Sequence, residues 1–114
     1  MTRGTVVLTP VPFTDLQGMK VRPAIIVSRT DRQGDDVILA FVSSVVPAQA
    51  LPTDLIVDPE TPEGRSAGLK RSSAIKCDKL ATVQRRILLG ELGILSPPCL
   101  LELDQRLKHA LALS

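Results

Sequence analysis

Apolar positions in this chain come mostly as short β-branched runs broken by turn residues, and only near the end do they take up a helical spacing. Thr5-Val6-Val7-Leu8 is the first run and reads as a strand. Pro10 and Pro12 are expected to end it, because neither can donate to a ladder. Phe13 to Met19 reads as a loop hinged at Gly18. A second strand is expected over Arg22 to Ser28, around the apolar run Ala24-Ile25-Ile26-Val27. Asp31-Arg32-Gln33-Gly34-Asp35 has strong turn chemistry and joins it, as a long-turned hairpin, to a third strand over Val37 to Val42. Ser43 and Ser44 stand where that strand ends.

Pro47 to Pro52 reads as a loop and Asp54 to Val57 as a fourth strand. Pro59, Pro62, Gly64 and Gly68 then predict a mobile connection. Ser73 to Asp78 alternates as a half-buried strand does. Leu80 to Val83 reads as a short turn followed by a final strand. The last element is the clearest. Ser96 is a favoured N-cap, Pro97 suits the first helical position, and Leu95 with Leu100 fits a hydrophobic staple. Leu100, Leu103, Leu107 and Ala110 make a helical stripe, so a helix is expected over Pro97 to Leu111, packed on the sheet. His109 lies beside the stripe and reads as structural. The fold class is therefore mainly β (α+β): a small barrel or twisted sheet with one C-terminal helix against it.

At 114 residues the chain has room for one domain and for a core without disulfides. With no Trp, no Tyr and two Phe, stacking platforms for bases are scarce. Cys77 and Cys99 make neither a disulfide framework nor a metal motif, and a single histidine makes structural zinc or a histidine triad an unsuitable reading. No signal peptide is visible, nor any run long enough to span a membrane, so a reducing cytoplasm is the expected setting.

Charge changes the picture more than composition. Asp54, Asp58, Glu60 and Glu63 form an acidic stretch, and Arg65, Lys70, Arg71, Lys76, Lys79, Arg85 and Arg86 follow, with Asp78 the lone acid among them. Such a block attracts phosphate backbones, or else guards strand edges against aggregation. Arg22 is the sharpest candidate. Pro23 stiffens the backbone beside it, so a guanidinium is held at the rim of a sheet; the plain alternative is an ordinary solvated arginine.

Arg3-Gly4 with the first strand, Pro12-Phe13-Thr14-Asp15, Gly18 and Lys20-Val21-Arg22-Pro23-Ala24 together resemble the start of the PemK/MazF family of toxin endoribonucleases. The resemblance continues through Gly68-Leu69-Lys70, Ile75 to Val83, Leu92-Gly93-Ile94-Leu95-Ser96 and the closing helix, nearly the whole chain. It implies an SH3-like barrel of about five to seven strands, usually a homodimer, neutralised by a cognate antitoxin. It implies metal-independent cleavage of single-stranded RNA at short motifs, leaving a 2′,3′-cyclic phosphate and a 5′-hydroxyl. Under the resemblance Arg22 acts on the phosphate, Ser43 is its partner, and Lys76 and Asp78 stand where some members carry an Arg/Asp pair.

Chemistry agrees with these assignments. A fixed guanidinium stabilises charge on phosphorane oxygens through a bidentate fork. A base must take the 2′-hydroxyl proton, and with no histidine suitably placed Asp78 is the candidate. RNA contacts are assigned on the same footing to Phe13, Gln17, Lys20, Ser44, Lys70 and Lys79. No metal or other cofactor is expected. Two departures stand out. Ser43-Ser44-Val45 replaces a Thr-Ser-Gln common in the family, losing an amide that bears on base recognition. Lys76 replaces an arginine, and the two are not equivalent at a bidentate site. The alternative reading is a non-catalytic toxin of the same barrel that binds a protein, as gyrase poisons do, or an inactive nucleic-acid-binding relative.

Overall fold

Six antiparallel strands form one curled sheet in the computed structural model, which describes residues 1–12, 19–31 and 33–113. In chain order they are β1 (Thr5–Pro12), β2 (Met19–Ile26), β3 (Asp36–Ser43), β4 (Asp54–Val57), β5 (Ser73–Gln84) and β6 (Gly90–Ile94). A short helix, α1 (Pro62–Arg65), follows β4, and the long helix α2 (Pro97–Ala110) closes the chain. Across the sheet the order is β4-β5-β3-β2-β1-β6. The expected mainly-β class with a C-terminal helix is what forms, as a half-barrel in which β4 and β6 are the edges.

Two prolines sit where the sequence suggested a stop. β1 runs on through Pro10 to Pro12 because it needs no donor there. The Leu8 carbonyl accepts the Leu89 N–H at 2.9 Å, so Leu8 turns its polar backbone toward the β6 side. By strand alternation Pro10 and Pro12 face that side too, and β6 pairs with β1 only from Thr5 to Leu8. Their missing N–H groups thus fall on a free edge, where proline is tolerated. Pro23 acts differently. Val27 donates to the Ile38 carbonyl at 2.9 Å, which puts residues 27, 25 and 23 on the β3 side of β2. Pro23 cannot continue that ladder, and the β2–β3 pairing stops at Ala24↔Phe41.

Both faces of the sheet are packed. One carries Val6, Ile25, Val42, Leu55, Ile75 and Cys77 against Leu103 and Cys99 of α2, with Leu100, Leu107 and Ala110 completing the expected stripe. The Ser96 hydroxyl caps α2 by accepting the Cys99 N–H at 3.4 Å, as its N-cap position requires. His109 is exposed on this helix. The other face gathers Val7, Ala24, Ile26, Val37 and Leu39, with Phe41, Val83 and Leu88 beside them.

β5 is one strand of 12 residues, not a strand, a turn and a strand. Its register against β3 jumps from Ala40↔Leu80 to Phe41↔Lys76, so Cys77, Asp78 and Lys79 form a bulge that absorbs the irregularity. β6 was not read from the sequence, because Gly-Glu-Leu-Gly-Ile lacks β-branched residues until its last position.

The connection after β4 is pinned in place, which corrects the expectation of mobility. Thr61 accepts the Gly64 N–H and caps α1, while Ser66 Oγ donates to the Ile94 carbonyl at 2.7 Å. Gly68 closes the lock: its φ is +73°, and a Cβ there would lie 2.1 Å from the Leu92 carbonyl oxygen. Gly68→Ala is therefore expected to destabilise the protein by about 3 kcal/mol, combining left-handed strain with overpacking against backbone. Thermal unfolding checks this; an unchanged midpoint would contradict it.

Candidate nucleic-acid cleft

Register brings two of the predicted site residues together, Arg22 and Ser43. Continuing the β2–β3 pairing two residues past Ala24↔Phe41 sets Arg22 opposite Ser43. On its other side Arg22 pairs with Thr9, and Ser43 pairs with Ala74. Directly opposed residues share a sheet face, so Arg22 and Ser43 project to the same side of the sheet. Where Pro23 ends the ladder, a pocket of about 340 Å³ opens, lined by Val11, Arg22, Phe41, Val42, Ser43, Ser44 and Val45. Arg22 is exposed and Ser43 half-buried. The Ser43 hydroxyl accepts the Val45 N–H at 3.1 Å and donates to the Val45 carbonyl at 3.3 Å. That tie shapes the rim, and the long donor bond leaves the hydroxyl proton easily redirected.

Lys20 and Lys76 lie on the same face. Lys20 is two residues along β2 from Arg22 and is exposed. Lys76 stands directly across from Phe41, which makes it a diagonal neighbour of Ser43, about 7–8 Å away. Its ammonium turns toward β4, where it donates to Asp54 Oδ1 at 3.1 Å. Asp54 is fully buried at its side chain and also accepts the Leu51 N–H at 2.9 Å. Burial pushes its carboxyl up, but the Leu51 N–H and the Lys76 ammonium outweigh this and hold it below the usual value.

Asp78 and Lys79 are exposed on the β5 bulge and are not among the residues lining the Arg22–Ser43 pocket. Asp78 pairs with no cation among the described residues. Lys70 is exposed just ahead of β5, and Ser44 lines the pocket. Phe13 and Gln17 lie outside the described residues. Cys77 and Cys99 are buried free thiols, and burial pushes Cys77 up to about 11. Of the basic block, Arg85 is spent on structure, donating to the Thr30 carbonyl at 3.0 Å. Among the described residues no group of three or more His, Cys, Asp or Glu is placed to hold a metal ion.

A larger groove of about 790 Å³ runs along β4 between α1 and α2. Its lining includes Asp58, Glu63 and Glu102, countered by Arg106, so its charge does not suit a phosphate chain. The sequence reading missed the Asp54–Lys76 pair, whose partners are 22 residues apart; the only signal was a carboxylate opening a strand and a lysine inside another.

A half-barrel of six strands, backed by a helix and carrying a cation and a hydroxyl where two strands part, defines a small β fold with a cleft at the end of one ladder. The chain belongs to the PemK-like, MazF-like toxins of type II toxin–antitoxin systems, whose family model matches residues 2–111. Among solved structures it is similar to an endoribonuclease in complex with its cognate antitoxin from a mycobacterial species, at 22% identity and TM-score 0.76, covering 100% of this chain and 97% of that one. Mycobacterium tuberculosis toxin MazF-mt6 matches at 22% identity and TM-score 0.75, covering 96% and 98%. A MazE–MazF structure from Deinococcus radiodurans matches at 17% identity and TM-score 0.74, covering 100% and 97%. At these identities the likeness is one of fold. No curated protein matches the chain significantly. No helix among the described residues is long and apolar enough to cross a membrane.

Proposed function

We propose that this toxin is a sequence-specific endoribonuclease acting on single-stranded RNA in the bacterial cytoplasm. The observation that carries the reading is the meeting of Arg22 and Ser43 in one pocket at the point where Pro23 interrupts the sheet. Similar folds are described as endoribonucleases, which agrees with it. A cognate antitoxin and a second copy of the chain are its partners under this reading.

The reaction needs no group beyond the chain and the RNA. The 2′-oxygen forms a bond to the adjacent phosphorus, the bond from phosphorus to the 5′-oxygen breaks, and a 2′,3′-cyclic phosphate and a 5′-hydroxyl result. Arg22 stabilises the charge gathering on the non-bridging oxygens, where a planar fork is worth more than a point charge. Ser43 donates its hydroxyl proton to one of those oxygens and so fixes the phosphate. Asp78, without a cation partner among the described residues and set on a bulge of the neighbouring strand but one, takes the 2′-hydroxyl proton; bulges often re-aim a side chain beside an active site. The leaving 5′-oxygen takes a proton shared from the Arg22 guanidinium, which regains one from water as Asp78 returns its own to solvent.

The experiment incubates purified protein with long single-stranded RNA in EDTA and maps the 5′ ends of the fragments. Cleavage at a recurring short motif with 5′-hydroxyl ends is expected. Ser43→Ala is expected to cut the rate by about ten- to a hundredfold, the loss of one hydrogen bond to a charged group. Intact RNA would reject the reading. If growth inhibition then survived Arg22→Ala, the toxin would instead be a protein-binding poison.

A further inference from the structure

We propose that Asp54 is a positioning residue for the RNA face: it fixes Lys76 so that Lys76 grips a phosphate neighbouring the one that reacts. This deepens the endoribonuclease reading and rests on it.

Lys76 sits on the face that carries Arg22 and Ser43, diagonal to Ser43 and beside Phe41 of the pocket wall. Its side chain is 21% exposed while that of Asp54 is wholly covered, so the pair is closed at the carboxylate and partly exposed at the lysine. An ammonium has three N–H donors, and Asp54 accepts one of them at 3.1 Å. Among the described residues Lys76 has no other acceptor, which leaves donors for a phosphate oxygen.

Asp54 is itself anchored. Its Oδ2 accepts the Leu51 N–H at 2.9 Å, and the Asp54 N–H donates to the Leu51 carbonyl at 2.9 Å, closing the turn that covers the carboxylate. A buried ion pair is a poor device for stability alone, since an apolar pair of similar volume serves as well or better. It does hold a long, flexible cation in one rotamer on a working surface. A lysine already ordered loses less freedom when a phosphate arrives. Lys76 does not line the Arg22–Ser43 pocket, and its ammonium turns from it toward β4, so the phosphate it takes is a neighbour of the reacting one. Lys76 is therefore read as a binding residue, with Asp54 acting through it.

The test measures affinity for an RNA analogue with 2′-deoxy sugars throughout, by fluorescence anisotropy over a range of salt, alongside cleavage kinetics on all-ribose RNA. Asp54→Asn keeps the lysine but weakens its anchor. The double variant Asp54→Leu with Lys76→Met removes both charges, so no carboxylate is left buried and unpaired. Thermal unfolding confirms that each is folded. The double variant is expected to bind more weakly on every RNA sequence, with a salt slope smaller by about 1, and its cleavage loss to fall on KM. Asp54→Asn is expected to raise KM with the slope retained. Wild-type affinity and slope in the double variant would overturn the proposal, as would wild-type KM in Asp54→Asn, or a loss confined to kcat. Because the deoxy RNA is never cut, the binding arm decides this inference even if all-ribose RNA proves not to be a substrate.

Discussion

Replacing Arg22 by alanine is expected to lower kcat/KM for RNA cleavage by on the order of a thousandfold, about 4 kcal/mol of transition-state stabilisation. The expectation follows from geometry. Arg22 is held at the strand position before Pro23, lines the pocket with Ser43, and donates to no described residue in the resting protein. Its guanidinium is therefore available in full to a developing oxyanion. Arg22→Lys is expected to fall between, keeping the charge and losing the fork. Neither change should move the unfolding midpoint much, because an exposed side chain with no partner among the described residues leaves nothing buried unpaired; surface changes of this kind stay within about 0.5 kcal/mol. Single-turnover rates on a short RNA containing the mapped motif, with thermal unfolding of the same preparations, check both halves. Cleavage by Arg22→Ala at the wild-type rate would remove the phosphate role.

Leu103→Ala is expected to have the largest effect on stability, about 3–4 kcal/mol, with an unfolding midpoint lower by on the order of 15 °C. Leu103 has no exposed surface and is the α2 residue set deepest against the core of Val6, Ile25, Ile75 and Leu95. Truncating it leaves a cavity between a helix and a curved sheet, and neither surface can close on it without moving strands that are paired on both sides. The Arg22–Ser43 pocket opens on the opposite face, so the variant that remains folded should cleave RNA at the wild-type rate. Calorimetry and a cleavage assay well below the midpoint test this pair of outcomes. A loss of activity in the fully folded variant would mean that the helix and the cleft are coupled.

These two variants separate what is needed for chemistry from what is needed for the fold, and the sequence foreshadowed both. Arg22 was legible because Pro23 constrains it at the start of an apolar run, and Leu103 because it is the centre of a 3.6-residue stripe behind a Ser-Pro start. β4 was read with its observed bounds, and α2 to within a residue. Errors came where a local rule depends on a neighbour. Pro10 and Pro12 end a strand only if their nitrogens face another strand, and here they face an open edge. Leu80 to Val83 continues β5 because a three-residue bulge restores its pairing with β3. Thr61-Pro62 carried a capping signal that the surrounding glycines and prolines obscured.

What the chain determined alone was its elements and their chemistry: β-branched runs bury as strands, a capped leucine stripe packs as a helix, and a proline-stiffened arginine stands at a rim. These are properties of a residue and its nearest neighbours, where periodicity and backbone restriction act directly. Tertiary structure alone decided the partnerships. Arg22 meets Ser43 because antiparallel register aligns two strand ends, Asp54 takes Lys76 because β4 and β5 are adjacent, and the cleft opens because Pro23 has no hydrogen to give β3. Each depends on which strand lies beside which, a long-range choice set by burial of the whole sheet and not by any short stretch of sequence.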